Sequence, residues 1–356
     1  MTVSRFFSEK YASLTPYTPG EQPKGQLLLK LNTNESPFPP SPKAIAYANR
    51  EAEKLQLYSD PQVRDLNAIA AEKFGLKPGE ILFTNGSDEI LNFAFMAFCD
   101  CNHPAVFPDI TYGFYPVFAQ LNGIPYETIP LNEDFTIDVS AYCGLNKTIF
   151  LANPNAPTGL ALNLEQIEQI VASNPDSVVV IDEAYVDFGA QSAISLIPKY
   201  DNLLVTQTFS KSRSMAGARL GFGAGCEALI QDLNTIKYST NPYNVNRMTM
   251  AAGIGALEDD DYFRGNCQKI MDNRAFTTEG LRRLGFDCPD SMANFVFARH
   301  PGMAGKELNR KLREKGILVR HFDTGKLTDY NRITIGSLSQ MEQFLAAAAQ
   351  ILEETP

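Results

Sequence analysis

Short apolar runs typical of buried β-strands alternate with helical patterns through roughly the first two thirds of this 356-residue chain. The segment SVVVIDEAY (residues 177–185) is rich in β-branched residues without polar alternation, as expected for a strand covered on both faces. NLLVTQTF (residues 202–209) is a second such run. Because strands that alternate with helices pair in parallel, the pattern predicts an α/β fold with a large, mostly parallel sheet sandwiched by helices.

The two ends of the chain have a different texture. Residues 1–43 are rich in Pro, Thr, Asn and Gly, which predicts an irregular arm that packs on the small domain or on a partner subunit. Residues 44–245 form the predicted large domain. Residues 246–356 contain long helical patterns and then alternating strands and helices, which predict a smaller C-terminal α/β domain.

Composition excludes several classes of function. The net charge of −10 leaves no excess of cations for neutralising nucleic-acid phosphates. No apolar run reaches the roughly 20 residues of a membrane span, and the start lacks the apolar core of a signal peptide. Six scattered cysteines favour reduced thiols in a cytoplasmic protein, and three histidines without ligand spacing argue against a metal site.

Four predicted strand ends carry polar residues, and ligands of open α/β sheets bind at such ends. Each has an ordinary structural explanation on its own. LFTNGSDEI resembles a turn and helix start, where free N–H groups favour a phosphate. FLANPNAPTG is a rigid loop, VVVIDEAY places Asp182 after an apolar strand, and TQTFSKS places Lys211 among hydroxyls. A desolvated lysine can lose its proton and act as a nucleophile or base.

The combination is more specific than its parts. Pyridoxal phosphate requires a lysine for its aldehyde, a carboxylate for its ring nitrogen, a donor for its phenolic oxygen and an anion site for its phosphate. The four strand ends provide these groups in one predicted domain. We therefore predict pyridoxal 5'-phosphate as the cofactor.

The same residues carry a resemblance to a known family. The chain resembles the fold-type I, pyridoxal-phosphate-dependent aminotransferases over nearly its whole length. The resemblance rests on LNTNES, YSDPQ, NGSDE, NPNAPTG, VVIDEAY, SK followed by AGARLGF, GILVR and RITIG. Within that superfamily it is most similar to the histidinol-phosphate aminotransferases, which implies a transaminase of histidine biosynthesis.

The resemblance implies roles for the cofactor residues. Lys211 would form the Schiff base and then move the substrate's α-proton, Asp182 would bind the ring nitrogen, and Tyr185 would bind the phenolic oxygen. Tyr112 would stack on the ring. The phosphate contacts implied are Gly86, Ser87, Asp88, Thr208, Ser210 and Arg219.

Further roles concern the substrate and a second subunit. Tyr58 resembles a tyrosine that reaches the cofactor phosphate of the neighbouring subunit, which implies a homodimer with shared active sites. The residues implied to contact small-molecule substrates are Tyr17, Asn34, Arg320 and Arg332, with Arg332 on a carboxylate and Arg320 on a phosphate.

One position departs from the family pattern. Ala156 stands in NPNAPTG where the family usually has an asparagine that donates to the cofactor's phenolic oxygen. We expect Tyr185 to carry that contact instead. The departure concerns the tuning of the cofactor and the substrate rather than Lys211, Asp182 or the fold.

Other functions on the same scaffold stay open at this point. Related enzymes transaminate aromatic amino acids or decarboxylate threonine phosphate. A non-catalytic, cofactor-sensing module is a third hypothesis, although the acidic chain has no appended DNA-binding segment. A nucleotide-binding protein is the weakest, because no GxGxxG follows the first strand.

Overall fold

The computed structural model describes residues 4–23 and 28–354. Its larger sheet has seven strands in the order β2-β8-β7-β6-β5-β3-β4, and only β8 runs antiparallel to its neighbours. The strands are β2 (Ile81–Thr84), β3 (Ala105–Pro108), β4 (Tyr126–Ile129), β5 (Thr148–Ala152), β6 (Val179–Asp182), β7 (Leu203–Thr208) and β8 (Gly221–Gly225). This confirms the prediction of a mostly parallel α/β sheet.

Helices cover both faces of this sheet, and two apolar clusters form its core. Along β6, Val179 and Ile181 pack into one cluster while Val180 packs into the other. This period of two is what a strand buried on both faces requires. The helices are α1 (Pro42–Ala52), α2 (Arg64–Phe74), α3 (Ser87–Phe98), α4 (Tyr115–Asn122), α5 (Leu164–Ala172) and α6 (Glu227–Thr240).

A second sheet of four strands has the order β1-β10-β11-β9. Its strands are β1 (Leu29–Leu31), β9 (Phe295–Ala298), β10 (Ile317–His321) and β11 (Asn331–Thr334). β1 comes from the N-terminal region and pairs in parallel with β10, so the beginning of the chain is tied to its end. The remaining helices are α7 (Arg247–Glu258), α8 (Asp260–Arg283), α9 (Gly305–Glu314) and α10 (Leu338–Glu353).

Local features of the sequence account for several element ends. Asn163 caps α5 and forms a capping box with Gln166. Gly75 ends α2 in the left-handed conformation that glycine tolerates best. The long helical pattern near the C-terminus is divided at Asp259 into α7 and α8.

The glycine-rich segment GFGAG was not predicted as a strand, yet it forms β8 between β2 and β7. Strand interiors usually disfavour glycine, so propensity gave no signal. The reason is tertiary: a Cβ on Gly221 would lie 2.3 Å from the backbone nitrogen of Ser87. Glycine therefore lets the start of α3 lie directly against the sheet, where the site is built.

Candidate active site

A pocket of about 550 Å³ lies where the carboxyl ends of β5, β6 and β7 meet the second sheet. We call the part formed by the ends of the large sheet the floor; it includes Asp182 and Lys211. We call the part formed by segment 32–35 with Arg320 and Arg332 the rim. Most of the predicted residues line this one pocket: Tyr17, Asn34, Ser87, Asp88, Tyr112, Asp182, Tyr185, Thr208, Ser210, Lys211, Arg219, Arg320 and Arg332.

Lys211 lies three residues beyond the end of β7, with its side chain directed into the pocket. Its Nζ donates to the carbonyl oxygen of Thr33 at 3.1 Å. Removal from solvent, together with the nearby Arg332 guanidinium, lowers the pKa of Lys211 to about 8. A substantial fraction of this amine is therefore neutral just above neutral pH, as a nucleophile or base requires.

Asp182 is the last residue of β6 and is buried. Tyr115 Oη donates to its Oδ2 at 3.1 Å, whereas its buried Oδ1 has no partner among the described residues. Burial raises the pKa of Asp182 to about 7. A buried carboxylate with an orphaned oxygen fits a cationic donor such as a protonated ring nitrogen.

Tyr115 is a residue of the site that the sequence patterns did not indicate. It begins α4 three residues after Tyr112 in TYGFY, and it is fully buried against the floor. Its partner Asp182 is distant in the chain, so only the second tyrosine at this spacing hinted at a role.

Glu183 directly follows Asp182 but belongs to a different environment. Its carboxylate accepts hydrogen bonds from Ser192 Oγ, Ala193 N and Gln207 Nε2 at 2.6, 2.6 and 2.8 Å. Burial raises the pKa of Glu183 to about 7. Its oxygens are committed to these protein donors, so its role is structural.

An anion cradle lies at the start of α3. Gly86 precedes this helix with a φ of 86°, and a Cβ there would lie 2.5 Å from Arg219 Nη2. The first N–H groups of a helix have no partner within it, so those of Ser87 and Asp88, which both line the pocket, are candidate donors to an anion. Arg219 Nη1 donates to Ser210 Oγ at 3.3 Å, which brings the loop after β7 to the same place.

Two contacts bear on the residues predicted to bind the cofactor phosphate. The Asp88 carboxylate pairs with Arg219 at 3.1 Å and accepts from Tyr112 Oη at 2.7 Å. Asp88 could therefore hold an anion only through its backbone N–H, while its side chain orients Arg219 and Tyr112. Thr208 is the last residue of β7, and its Oγ1 accepts from Ser210 N at 3.1 Å.

Aromatic rings form one wall of the pocket. Tyr112 lies 6.4 Å from Tyr17 between ring centroids and 5.7 Å from Tyr115, edge to face. Tyr17 stacks on Phe114 at 4.2 Å. Tyr17 and Tyr112 therefore both border the space between floor and rim, where a planar ligand would lie.

Tyr185 faces the pocket beside Ala156. Its hydroxyl oxygen accepts from Asn34 Nδ2 at 3.0 Å, and its ring lies edge to face with Phe295 in the small apolar cluster that includes Ala156. The neighbouring Asn155 is not available to the pocket: its Oδ1 accepts from Thr111 Oγ1 at 2.8 Å and its Nδ2 donates to the Ile110 carbonyl at 2.9 Å.

The rim carries two arginines. Arg332 Nη2 donates to the Asn32 carbonyl at 3.2 Å, while its buried Nε has no partner among the described residues. Its guanidinium lies over Phe295 at 5.2 Å from the ring centroid. Arg320 lies at the mouth of the pocket and donates to the Thr18 carbonyl at 3.3 Å. Both retain donors for a further anion.

Tyr58 is the one predicted side chain that does not line the pocket. It is 79% exposed and stacks on Tyr243 with ring centroids 4.5 Å apart. Gly86 also does not line the pocket, although it adjoins the cradle through Arg219.

The arrangement defines a class of protein. One pocket contains a lysine of lowered pKa, a buried carboxylate lacking one partner, and a tyrosine. The same pocket contains a helix start beside an arginine that is fixed by hydrogen bonds. These groups fit pyridoxal 5'-phosphate at each of its polar positions, and when bound it serves as an electron sink. The floor is that of a pyridoxal-phosphate-dependent enzyme.

Comparisons with known proteins give the family. Residues 27–347 match the family described as aminotransferase class I and II. A histidinol-phosphate aminotransferase of Brachyspira hyodysenteriae is 49% identical over 355 residues, covering 99% of this chain and all of that protein. The chain belongs to the class I and II aminotransferases and is a pyridoxal-phosphate-dependent transaminase.

Solved structures share the fold at lower identity. The histidinol-phosphate aminotransferase of Sinorhizobium meliloti, solved in complex with pyridoxal-5'-phosphate, has a TM-score of 0.88 and 24% identity, with 100% of both chains covered. An L-threonine-O-3-phosphate decarboxylase of Porphyromonas gingivalis has a TM-score of 0.79 and 22% identity, covering 92% of this chain and 100% of that one. Since a decarboxylase shares it, the fold does not identify the reaction.

Proposed function

We propose that this enzyme transfers an amino group between histidinol phosphate and 2-oxoglutarate. The observation that carries the proposal is the pair of arginines on the rim. Arg332 and Arg320 are separate from the Arg219 cradle, so the pocket has anion sites beyond the one needed by the cofactor phosphate. The similarity to histidinol-phosphate aminotransferases over whole chains supports the same substrate.

The proposed roles on the floor follow from the donors and acceptors there. Lys211 binds the cofactor aldehyde and, once released, carries a proton at its Nζ. Asp182 accepts from the ring nitrogen with its orphaned Oδ1, and Tyr185 donates to the phenolic oxygen. Tyr112 stacks on the ring. The proposed phosphate contacts are Gly86, Ser87, Asp88, Thr208, Ser210 and Arg219.

The proposed roles on the rim concern the substrate. The unpaired Nε of Arg332 supports binding of a substrate carboxylate through the guanidinium fork. Arg320 lies nearer solvent and suits the phosphate of histidinol phosphate. Tyr17, which also lines the pocket, closes the space between these arginines and Tyr112.

We also propose that the protein is a homodimer in which Tyr58 reaches the phosphate site of the partner. Leu55, Leu57 and Tyr58 are 59%, 56% and 79% exposed, an unusual run of apolar surface beside Tyr243. Exposed apolar patches of this kind mark protein interfaces. Analytical ultracentrifugation would test the dimer, and a monomer of full activity would contradict it.

The division into an arm (1–43), a large domain (44–245) and a small domain (246–356) stays a proposal. It is supported by the two separate sheets, although β1 from the arm joins the second one. Location in the cytoplasm is supported by six unpaired cysteines. In the described part of the chain, no helix is both long and apolar enough to cross a membrane.

A half-reaction panel tests the substrate directly. The pyridoxamine form of the enzyme is mixed with imidazole-acetol phosphate, phenylpyruvate and other 2-oxo acids, while the absorption spectrum of the cofactor is followed. We expect the phosphorylated acceptor to react fastest. Preference for phenylpyruvate would assign an aromatic aminotransferase, and release of carbon dioxide from threonine phosphate would assign a decarboxylase.

A further inference from the structure

The hydroxyl of Tyr185, which lines the pocket, bonds to the side-chain amide of Asn34. Asn34 Nδ2 donates to its oxygen at 3.0 Å. Across the described ranges 4–23 and 28–354, no atom accepts a hydrogen bond from this hydroxyl. An amide N–H that occupies a lone pair of the oxygen leaves the O–H proton free to point elsewhere. Tyr185 is therefore held as a donor toward the pocket.

The orientation of the Asn34 amide is fixed by a buried network. Thr334 Oγ1 donates to Asn34 Oδ1 at 3.0 Å and accepts from Asn34 N at 2.9 Å. Asn294 Nδ2 donates to the Asn34 carbonyl at 3.0 Å, and all three residues are buried. Because the amide oxygen is committed to Thr334, the amide nitrogen must face Tyr185. Asn34 also has a φ of 56°, a conformation that asparagine tolerates better than most residues.

The position where the family usually has an amide holds Ala156 in this chain. Ala156 belongs to the apolar cluster on which Tyr185 packs, and its methyl group cannot donate to a ligand. Asn155 is committed to Thr111 and Ile110. Of the described amide side chains, Asn34 alone bonds to Tyr185, and it comes from the rim rather than from the floor.

We propose that Asn34 is a positioning residue that holds the Tyr185 hydroxyl as a donor to the cofactor's phenolic oxygen. It supplies through Tyr185 what an amide at position 156 would supply directly. This inference rests on the role of Tyr185 proposed above. It differs from the expectation that Asn34 binds substrate: the Nδ2 of Asn34 bonds to Tyr185 and its Oδ1 to Thr334.

A donor at the phenolic oxygen should change the proton affinity of the nitrogen beside it. A donor to that oxygen stabilises its negative charge, so the neighbouring nitrogen that joins Lys211 to the cofactor holds its proton less firmly. The Asn34 N–H polarises the Tyr185 O–H and strengthens this donation. Loss of Asn34 should therefore raise the pH at which the cofactor spectrum changes.

The experiment is a spectral pH titration of the holoenzyme. We expect Asn34→Ala to raise the midpoint by about half a unit to one unit, the equivalent of one hydrogen bond. Asn34→Asp should raise it too, because a carboxylate would draw the Tyr185 proton away from the cofactor. Asn32→Ala is the matched control on the same segment: its Nδ2 donates to the Glu21 carbonyl and not to Tyr185, so the midpoint should not move.

Two double variants test whether Asn34 acts through Tyr185. In a Tyr185→Phe background, Asn34→Ala should add no further shift, and an equal shift there would overturn the proposal. Adding Ala156→Asn to Asn34→Ala should bring the midpoint back toward that of the parent enzyme, and failure to do so would also overturn it. An unchanged midpoint with a raised KM in Asn34→Ala would return Asn34 to substrate binding.

Two kinds of failure remain distinguishable. If the parent enzyme shows no cofactor band after addition of pyridoxal phosphate, the assignment of the site fails as a whole. If the parent titrates normally and the variants do not shift, only the role of Asn34 fails. Should Asn34→Ala not fold, Asn34→Asp retains the size of the side chain and decides the question alone.

Discussion

The floor and the rim of the pocket are built in different ways. Floor residues follow neighbouring parallel strands, and the pairing of Ala152 with Asp182 and of Asp182 with Thr206 sets their relative heights. Rim contacts join residues far apart in the chain; Asn34 and Thr334 are 300 positions apart. The floor is thus fixed by sheet register, whereas the rim depends on how the second sheet docks.

The two parts also differ in what their polar groups still require. On the floor, Asp182 Oδ1 lacks a partner among the described residues. On the rim, backbone carbonyls of Asn32 and Thr33 already bond to Arg332 and Lys211. The buried Nε of Arg332 also lacks a partner among the described residues, so the floor offers an acceptor to a cationic group and the rim offers a donor to an anionic one.

The largest effect is expected on the floor, at Lys211. Lys211→Ala should abolish the visible band of the bound cofactor and lower kcat by about 10²–10⁴-fold, because the proton carrier is lost. Absorption spectra and steady-state rates measure both. Lys30→Ala is the control: this lysine pairs with Glu35 outside the floor, and its loss should leave the band intact. A normal band in Lys211→Ala would contradict the assignment.

Asp182→Asn should have the next largest effect. Removal of the carboxylate leaves the ring nitrogen without a charged partner, so kcat should fall by about 10²–10³-fold while protein stability changes little. Glu183→Gln provides the contrast. It should lower the free energy of unfolding by about 1–3 kcal/mol, measured in urea, and leave kcat nearly unchanged. The reverse pattern would mean that the roles of these adjacent acids are exchanged.

A smaller effect is expected on the rim. Arg332→Lys keeps the charge but loses the fork that matches a carboxylate, so KM for glutamate should rise about 10- to 100-fold. The cofactor spectrum should not change. Arg299→Lys, in an exposed pair with Asp287, is the matched control and should be neutral. If Arg332→Lys instead weakened cofactor binding, the separation of floor and rim would be wrong.

The smallest expected effect is on the pH dependence of cofactor binding. It involves both parts, because Lys211 of the floor donates to the Thr33 carbonyl of the rim. The pKa of Lys211 is lowered to about 8, so its neutral, reactive fraction grows as pH rises toward that value. Incorporation of pyridoxal phosphate into the apoenzyme should accelerate about tenfold per pH unit below pH 8 and level off above it. Stopped-flow absorbance measures this rate. A rise that continued to pH 10 would place Lys211 at its ordinary pKa.

Much of the floor could be predicted from the sequence because its signals are local. An apolar run followed by Asp182, a turn before Ser87 and hydroxyls beside Lys211 can be recognised from a few adjacent residues. Parallel strands then bring their ends together without further information. Strand β8 and Tyr115 escaped prediction, since each depends on a neighbour that is distant in the chain.

The sequence by itself therefore determined the fold class, the cofactor and the residues of the floor, because hydrophobic periodicity and strand ends are local patterns. Only the tertiary structure decided the partners. Asp182 lines the pocket while Glu183 bonds to Ala193, Asn155 bonds to Thr111, and Asn34 bonds to Tyr185. The physical reason is that hydrogen bonds between distant segments depend on how the two sheets pack, which no short stretch of sequence records.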